Sequence, residues 1–339
     1  MTGTRKINII QAINEAIAES MEADAKILVI GEDVADKEGG GVVGVTRGLS
    51  TRFGDDRVRS TPIAEQAIMG AAIGAAMGGY KVVAEIMLMN FTTVAMDMIV
   101  NHAAKLRFMS GGQTGVPIVI RMMTGAGISS AGQHSDFLEA WFAHTPGLKV
   151  VIPSNPEDAK GLMLSAIADP DPVMFVECSR AYGSSGDVPV DLAPIPLGKA
   201  KVVQEGSDVT IISYSEIFQR ARTAAAELEK DGISVELIDL RTISPWDRET
   251  VLASVAKTGR AVIAHEAVRS FGVGAEIAAT IQEELFGTLK APVQRLGAPY
   301  TAVPFSYALE QLFIVSPQQI AEAARATLAA EARVPADVS

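Results

Sequence analysis

The segment Arg59-Ser-Thr-Pro-Ile-Ala-Glu65-Gln66 sets one carboxylate at the mouth of a small-residue helix. That helix, residues 67–79, reads AIMGAAIGAAMGG, and no charge follows until Lys81. In such dry surroundings burial raises a carboxyl pKa, which suits proton exchange near neutral pH. The residues leave a second reading open, a first-turn glutamate favoured by the helix dipole. The other candidate is His134, near the end of Gly125-Ala-Gly-Ile-Ser-Ser-Ala-Gly-Gln-His134-Ser. This loop follows a strand ending near Met122, and doubly wound sheets bind ligands beyond the carboxyl ends of their strands. A histidine there either exchanges protons with a substrate or simply hydrogen-bonds to backbone.

Other motifs carry less. Gly39-Gly-Gly41-Val-Val-Gly44 formally matches GxGxxG, but Glu32, Asp33, Asp36, Lys37 and Glu38 separate it from its strand. A dinucleotide fingerprint turns directly from strand into helix and has an acid about 20 residues on, so this is read as a surface or interface loop. His144, between Trp141-Phe142 and Thr145-Pro146, reads as a packing or capping residue, and His102 as a surface or interface residue in a helix. His265-Glu266 does not open HExxH, because position 269 is arginine, and no zinc ligand set is visible. There is no GxxxxGK[ST] loop and no GxSxG elbow. Gly70, Gly74 and Gly78, four apart, suggest a close helix–helix seam, within the chain or between subunits.

The elements that must position these residues follow from periodicity. Residues 7–21 have helical spacing, with Ile10, Ile13, Ala16 and Ile17 on one face. Continuous apolar runs at 26–30, 82–86, 117–122, 149–152 and 172–176 read as buried strands, with helices at 91–109 and 155–168 between them. The pattern breaks over 179–206, which holds Pro189, Pro194 and Pro196. A second alternation follows, with strands at 209–213, 235–239, 261–264 and 293–296 and helices at 216–230, 247–256, 274–285 and 317–328. Such alternation gives an α/β protein with two doubly wound domains, the second having fewer strands. The boundaries drawn are 1–185, a linker at 186–206, and 207–339, with a frayed tail from Ala330 to Ser339. A chain of 339 residues exceeds what one core usually holds. The net charge of −11 without a basic block argues against nucleic acid and anionic membranes. Cys178, the single cysteine, permits no internal disulfide, and no run spans a bilayer or resembles a signal peptide, so a cytoplasmic location is expected.

Several long segments then carry a resemblance that short motifs do not. They are TPIAEQAIMGAAIGAAMGG, NFTTVAMDMIVNHAAKLRFMSGGQ, AGQHSDFLEAWFAHTPGLKVVIPSNPEDAKGLMLSAIADPDPVMFVE and VELIDLRTISPWD. From about residue 8 to 324 the chain resembles the β subunit of the thiamine-diphosphate-dependent first component (E1) of 2-oxo acid dehydrogenase complexes. The resemblance implies a pyrimidine-binding thiamine-diphosphate domain followed by a transketolase C-terminal-like domain. It also implies an α2β2 heterotetramer with an α subunit, and a dihydrolipoyl acyltransferase as the acceptor of the acyl group. In the family, the glutamate matching Glu65 hydrogen-bonds a pyrimidine nitrogen of thiamine and favours the tautomer that deprotonates the thiazolium carbon. Positions matching Met87 and Phe91 lie against the aminopyrimidine. The histidine matching His134 stands near the lipoyl entrance, with a suggested role in proton transfer during reductive acylation. Some members bind potassium, mainly through backbone oxygens, at positions matching Ile118, Ala166, Asp169 and Asp171.

Thiamine enzymes usually hold the magnesium diphosphate with a GDG…N motif, and no GDG occurs here. The chain is therefore expected to supply the pyrimidine half of a site, to leave Mg2+ mainly to the α subunit, and to be inactive alone. MLMNFTTVAMDM and Gln133 stand where branched-chain relatives carry an aromatic-rich stretch and a tyrosine. The chain thus resembles the pyruvate and acetoin branches, with pyruvate the leading substrate. Asp136 replaces the glutamine common after His-Ser, and its carboxylate is expected to alter His134 or the lipoyl approach. The rival readings are a branched-chain dehydrogenase, a split transketolase, and a non-enzymatic scaffold that only docks an acyltransferase.

Overall fold

The computed structural model describes residues 3–330, so the tail read as frayed lies outside the described residues from position 331 onward. The chain opens with β1 (Thr4–Asn8), α1 (Ile9–Ala23), β2 (Ile27–Glu32), α2 (Leu49–Phe53), β3 (Val58–Thr61), α3 (Glu65–Met77) and β4 (Lys81–Leu88). It continues with α4 (Leu106–Met109), β5 (Ile118–Thr124), α5 (Glu139–Ala143), β6 (Lys149–Val151), α6 (Pro156–Ala168), β7 (Val173–Cys178) and β8 (Ser185–Pro189). The second half holds β9 (Lys201–Gln204), β10 (Val209–Ser213), α7 (Ser215–Lys230), β11 (Val235–Asp239), β12 (Thr242–Ser244) and α8 (Arg248–Thr258). It ends with β13 (Ala261–Val268), α9 (Val273–Leu285), β14 (Gln294–Ala298), α10 (Tyr307–Phe313) and α11 (Pro317–Ala329).

Among the described residues, one sheet has the order β12-β6-β7-β5-β4-β2-β3 and another β14-β13-β10-β11-β9. All pairs are parallel except those of the edge strands β12 and β9. The central strands β7, β10 and β11 are buried at every residue, which is why they read as unbroken apolar runs. Helix α1 starts at a capping box, Asn8 with Gln11, and buries Ile9, Ile13, Ile17 and Met21. It packs on α6, where the ammonium of buried Lys160 lies 2.7 Å from Glu19 and 3.4 Å from Glu15 of α1.

Two expectations are revised, and a third is met only in part within the chain. Residues 91–109 do not form one helix. A 3-10 turn over Met89–Ala95 and a π-helix over Asp97–Ala103 precede α4. The reason is local: the hydroxyls of Thr92 and Thr93 donate to the carbonyls of Met89 and Asn90, drawing acceptors away from a regular helix. The stretch read as a linker is also partly built into sheets. β8 pairs antiparallel with β1, and β9 forms the edge next to β11. Finally, the glycine stripe of α3 is only partly used within the chain. A Cβ at Gly70 would meet Met98, but one at Gly74 would meet nothing. Among the described residues no helix is long and apolar enough to cross a membrane.

The two halves interlock. β12 comes from the second half yet adds to the first sheet, and the main apolar core runs from α1 and β7 through Ile212, Ile238 and Ile263. At this junction the Tyr214 hydroxyl donates to buried Glu139 at 2.6 Å, and the Tyr214 ring stacks on that of His265. Burial pushes the Glu139 carboxyl up to about 7, the Tyr214 hydrogen bond opposing, and burial brings the His265 imidazole down to about 4.

These two groups act oppositely on stability. Folded Glu139 holds its proton more tightly than in the unfolded chain, where its ordinary value is 4.5, so its contribution grows as pH falls from about 7 to 4.5. Folded His265 resists protonation, so its contribution is lost as pH falls from 6.5 toward about 4. Glu139→Gln keeps an acceptor for Tyr214 but removes the first titration. Relative to this variant, the wild-type chain should gain up to roughly 3 kcal/mol between pH 7 and 4.5. Urea unfolding across that range checks this, and parallel pH profiles for the two proteins would refute it.

Candidate active site

β3, β2, β4 and β5 are consecutive parallel neighbours, so their carboxyl ends share one edge of the sheet. The four candidate residues hang from that edge. Glu65 opens α3 just after β3, and Met87 is the penultimate residue of β4. Phe91 lies in the 3-10 turn after β4, and His134 closes the loop after β5. This is where ligands bind in open α/β sheets.

Glu65 is only 8% exposed although it begins a helix. The preceding Ala64 offers no side-chain cap, so the carboxylate stands at an uncapped positive helix end. Beside it is an acid that the sequence reading passed over. Glu32 ends β2 in register with Thr61 of β3, and it is buried. Burial raises the Glu32 pKa, and the nearby charges of Glu65, Asp33 and Glu85 add to the effect. One Glu32 carboxylate oxygen, Oε1, and the Thr61 hydroxyl oxygen have no hydrogen-bond partner. Buried polar atoms are normally paired, so these orphans mark a place suited to a polar ring. The sequence signal for Glu32 was weak, since it is the first of several acids after an apolar run.

Met87 and Phe91 are half-buried, while His134 is exposed. The Phe91 and His134 rings meet edge to face, with centroids 5.4 Å apart. Asn90 ties their two segments together. Its Nδ2 donates to the Gly132 carbonyl at 3.0 Å and to the Asp136 carboxylate at 2.8 Å, and its Oδ1 accepts from the Asp136 N–H. The Asp136 carboxylate, expected to alter His134, is thus turned to Asn90.

Behind Met87 lies a buried charge cluster. Arg121 of β5 pairs with Glu85 of β4 and, through two bonds of 2.7 and 2.8 Å, with Glu177 of β7. Glu177 also accepts from the Tyr182 hydroxyl at 2.6 Å. Burial raises the Glu85 pKa, with the Arg121 charge opposing. The loop holding Gly41, Val42 and Val43 lines a small cavity over Met87, Glu85 and Arg121. No helix follows that loop directly, consistent with its failing the dinucleotide pattern.

The remaining histidines lie outside this edge. His144 caps the end of α5, His102 is half-exposed on the π-helix, 3.5 Å from Asp97, and His265 is buried and neutral. The potassium positions Ile118, Ala166, Asp169 and Asp171 lie toward the amino ends of β5 and β7, opposite the candidate site. Lys149 donates to Asp169 at 2.7 Å, and Arg107 pairs with Asp171. Both carboxylates are therefore already paired with cationic side chains. No cluster of three or more metal-ligating side chains occurs among the described residues.

Residues 5–184 match the transketolase pyrimidine binding domain, and residues 198–320 match the transketolase C-terminal domain. The chain is 47% identical to the β subunit of acetoin:2,6-dichlorophenolindophenol oxidoreductase of Cupriavidus necator, over 96% of this chain and 98% of that one. The chain belongs to the dehydrogenase E1 β-subunit family. It is 45% identical to the β subunit of the pyruvate dehydrogenase E1 component of Staphylococcus epidermidis, covering 95% and 99% of the two chains. A 2-oxoisovalerate dehydrogenase β subunit of Bacillus subtilis is 43% identical, with 94% and 98% covered. A split-gene transketolase solved as an inactive β4 tetramer shares the fold, with a TM-score of 0.78 at 23% identity over 95% of this chain and 98% of that one. Membership of this E1 family implies thiamine diphosphate as cofactor, and Glu65, Met87, Phe91 and His134 all fall within the pyrimidine-domain match.

Removing Arg121 would leave two buried carboxylates facing each other. Arg121→Met should cost about 3–5 kcal/mol. The triple change Glu85→Gln, Arg121→Met, Glu177→Gln should recover much of that loss. Denaturant unfolding of both proteins checks this, and a loss below 1 kcal/mol for the single change would contradict the cluster's role.

Proposed function

We propose that this chain is the cofactor-activating half of a two-chain thiamine-dependent dehydrogenase that delivers an acyl unit to a lipoyl group. The observation that carries the reading is Glu65, buried at an uncapped helix start beside Glu32 and Thr61 with their unpaired oxygens. Thiamine diphosphate, when bound, supplies an electron sink for breaking a carbon–carbon bond next to a carbonyl. Glu65 shares a proton with a pyrimidine ring nitrogen, and its burial keeps water from competing for that contact. Met87 and Phe91 give the ring apolar faces that do not compete for its hydrogen bonds. His134, exposed at the rim, transfers a proton at the lipoyl sulfur released from the disulfide.

With no GDG in the chain, the diphosphate and Mg2+ fall to an α subunit in an α2β2 assembly, and the acyl group passes to a dihydrolipoyl acyltransferase. Pyruvate is the proposed substrate. Acetoin is the second reading, supported by the relative that is 47% identical. Both deliver a two-carbon acyl unit, so turnover of the assembled enzyme with each, and with a branched 2-oxo acid, separates them.

Glu65→Gln in the assembled enzyme should lower substrate cleavage about 10²–10⁴-fold. Near-normal turnover would sink the assignment. His134→Ala should impair acyl transfer to a lipoyl domain far more than cofactor binding, read by calorimetric titration of thiamine diphosphate. Equal losses in both would count against its role.

A further inference from the structure

The loop from Gly125 to His134 belongs to the first domain by sequence, yet the second domain holds it. Ala126 is fully buried within the apolar cluster built from β10, α7 and α11. Its N–H donates to Glu266 at 2.9 Å. The next turn is held by Glu310 of α10. One Glu310 oxygen accepts from the Gly127 N–H at 2.5 Å, and the other accepts from the Ser129 N–H at 3.0 Å. Glu310 is itself fully buried. Ala302 lies against Gly132, where an added Cβ would come within 3.3 Å.

The conformation so held is not one the loop would choose alone. Gly127, Ser129 and Ala131 have φ of +109°, +55° and +61°. For Ser129 and Ala131 such backbone costs on the order of 1 kcal/mol or more each and persists only where surroundings enforce it. A Cβ at Gly127 would lie 2.5 Å from Arg180, so that position has no room for a side chain. Past the strained turn the loop reaches Gly132, tied to Asn90, and then His134 against Phe91.

We propose that Glu310 is a positioning residue for the reaction: by gripping the Gly127 and Ser129 amides it sets the strained loop that aims His134 at its acceptor. Glu310 makes no contact with His134 and acts only through the backbone between them. The inference rests on the acyl-transfer reading of His134, but the loop clamp itself is testable without it.

The experiment uses the assembled two-chain enzyme with Glu310→Ala, Glu310→Gln and His134→Ala. Three quantities are measured: substrate cleavage with 2,6-dichlorophenolindophenol as acceptor, acyl transfer to a lipoyl domain, and amide hydrogen exchange of the peptide spanning 125–134. Glu310→Ala should lower acyl transfer about 10- to 100-fold while the dye-coupled reaction stays within about twofold. Exchange in the loop peptide should rise. Glu310→Gln, which keeps an acceptor oxygen and the side chain's size, should recover part of the transfer rate. It also serves as the test if the alanine variant does not assemble. Combining Glu310→Ala with His134→Ala should cost no more than His134→Ala alone. Unchanged loop exchange in both Glu310 variants would overturn the clamp. An equal fall in both reactions would overturn positioning in favour of a general structural role. If His134→Ala leaves transfer intact while Glu310→Ala still loosens the loop, the acyl-transfer reading falls and the clamp stands.

Discussion

The parallel register of β3, β2, β4 and β5 is the constraint on which the rest of the structure depends. β4 and β5 are buried almost throughout, β2 is largely buried and β3 closes the sheet as a half-exposed edge, so the order is held by apolar packing at its centre and not by the chemistry at the strand ends. A slip of one residue in β4 would turn Met87 away from the site and bring Glu85 out of line with Arg121. The chemistry is thus suspended from a scaffold whose stability owes nothing to it. Loops can then vary in sequence and strain while the points from which they spring stay put.

Charge buried in that scaffold is handled in two ways. In places carboxylates are matched with cations: Glu85 and Glu177 share Arg121, while Glu15 and Glu19 face buried Lys160. At the carboxyl edge the matching stops. Glu32 and Glu65 lie near one another with no cation assigned to either, and one oxygen of Glu32 has no partner at all. Glu139 and Asp239 also keep an unpartnered oxygen, but inside the domain junction, whereas Glu32 and Glu65 stand at the sheet edge where ligands bind in such folds.

Much of this was legible in the residues. The strands at 209–213 and 235–239 match β10 and β11 end to end, because strands buried on both faces appear as plain apolar runs. Of the edge strands, β14 was legible as the run at 293–296, but most were not. β1, β8, β9 and β12 are short and partly polar, and their pairing depends on distant partners. The helix expected over 91–109 failed for a related reason, since threonine back-bonding changes geometry without changing apolar spacing. Glu65 and His134 stood out by their small-residue settings. Glu32 did not, because its significance comes from the strand beside it. Glu310 was invisible, since nothing in the sequence around it refers to a loop 183 residues earlier.

That separation bears on how the protein is made. A chain leaving the ribosome presents the first sheet, complete but for its β12 edge, well before α10 exists. At ordinary elongation rates the interval between Gly127 and Glu310 is on the order of ten to forty seconds. During it the turn carrying Ser129 and Ala131 lacks the contacts that hold its backbone, and the nascent domain has Glu65 in place without an ordered His134. Ordering of the His134 loop is therefore among the last events of this chain's synthesis, and a truncated product ending before residue 310 would carry every candidate side chain but lack the Glu310 contacts to that loop.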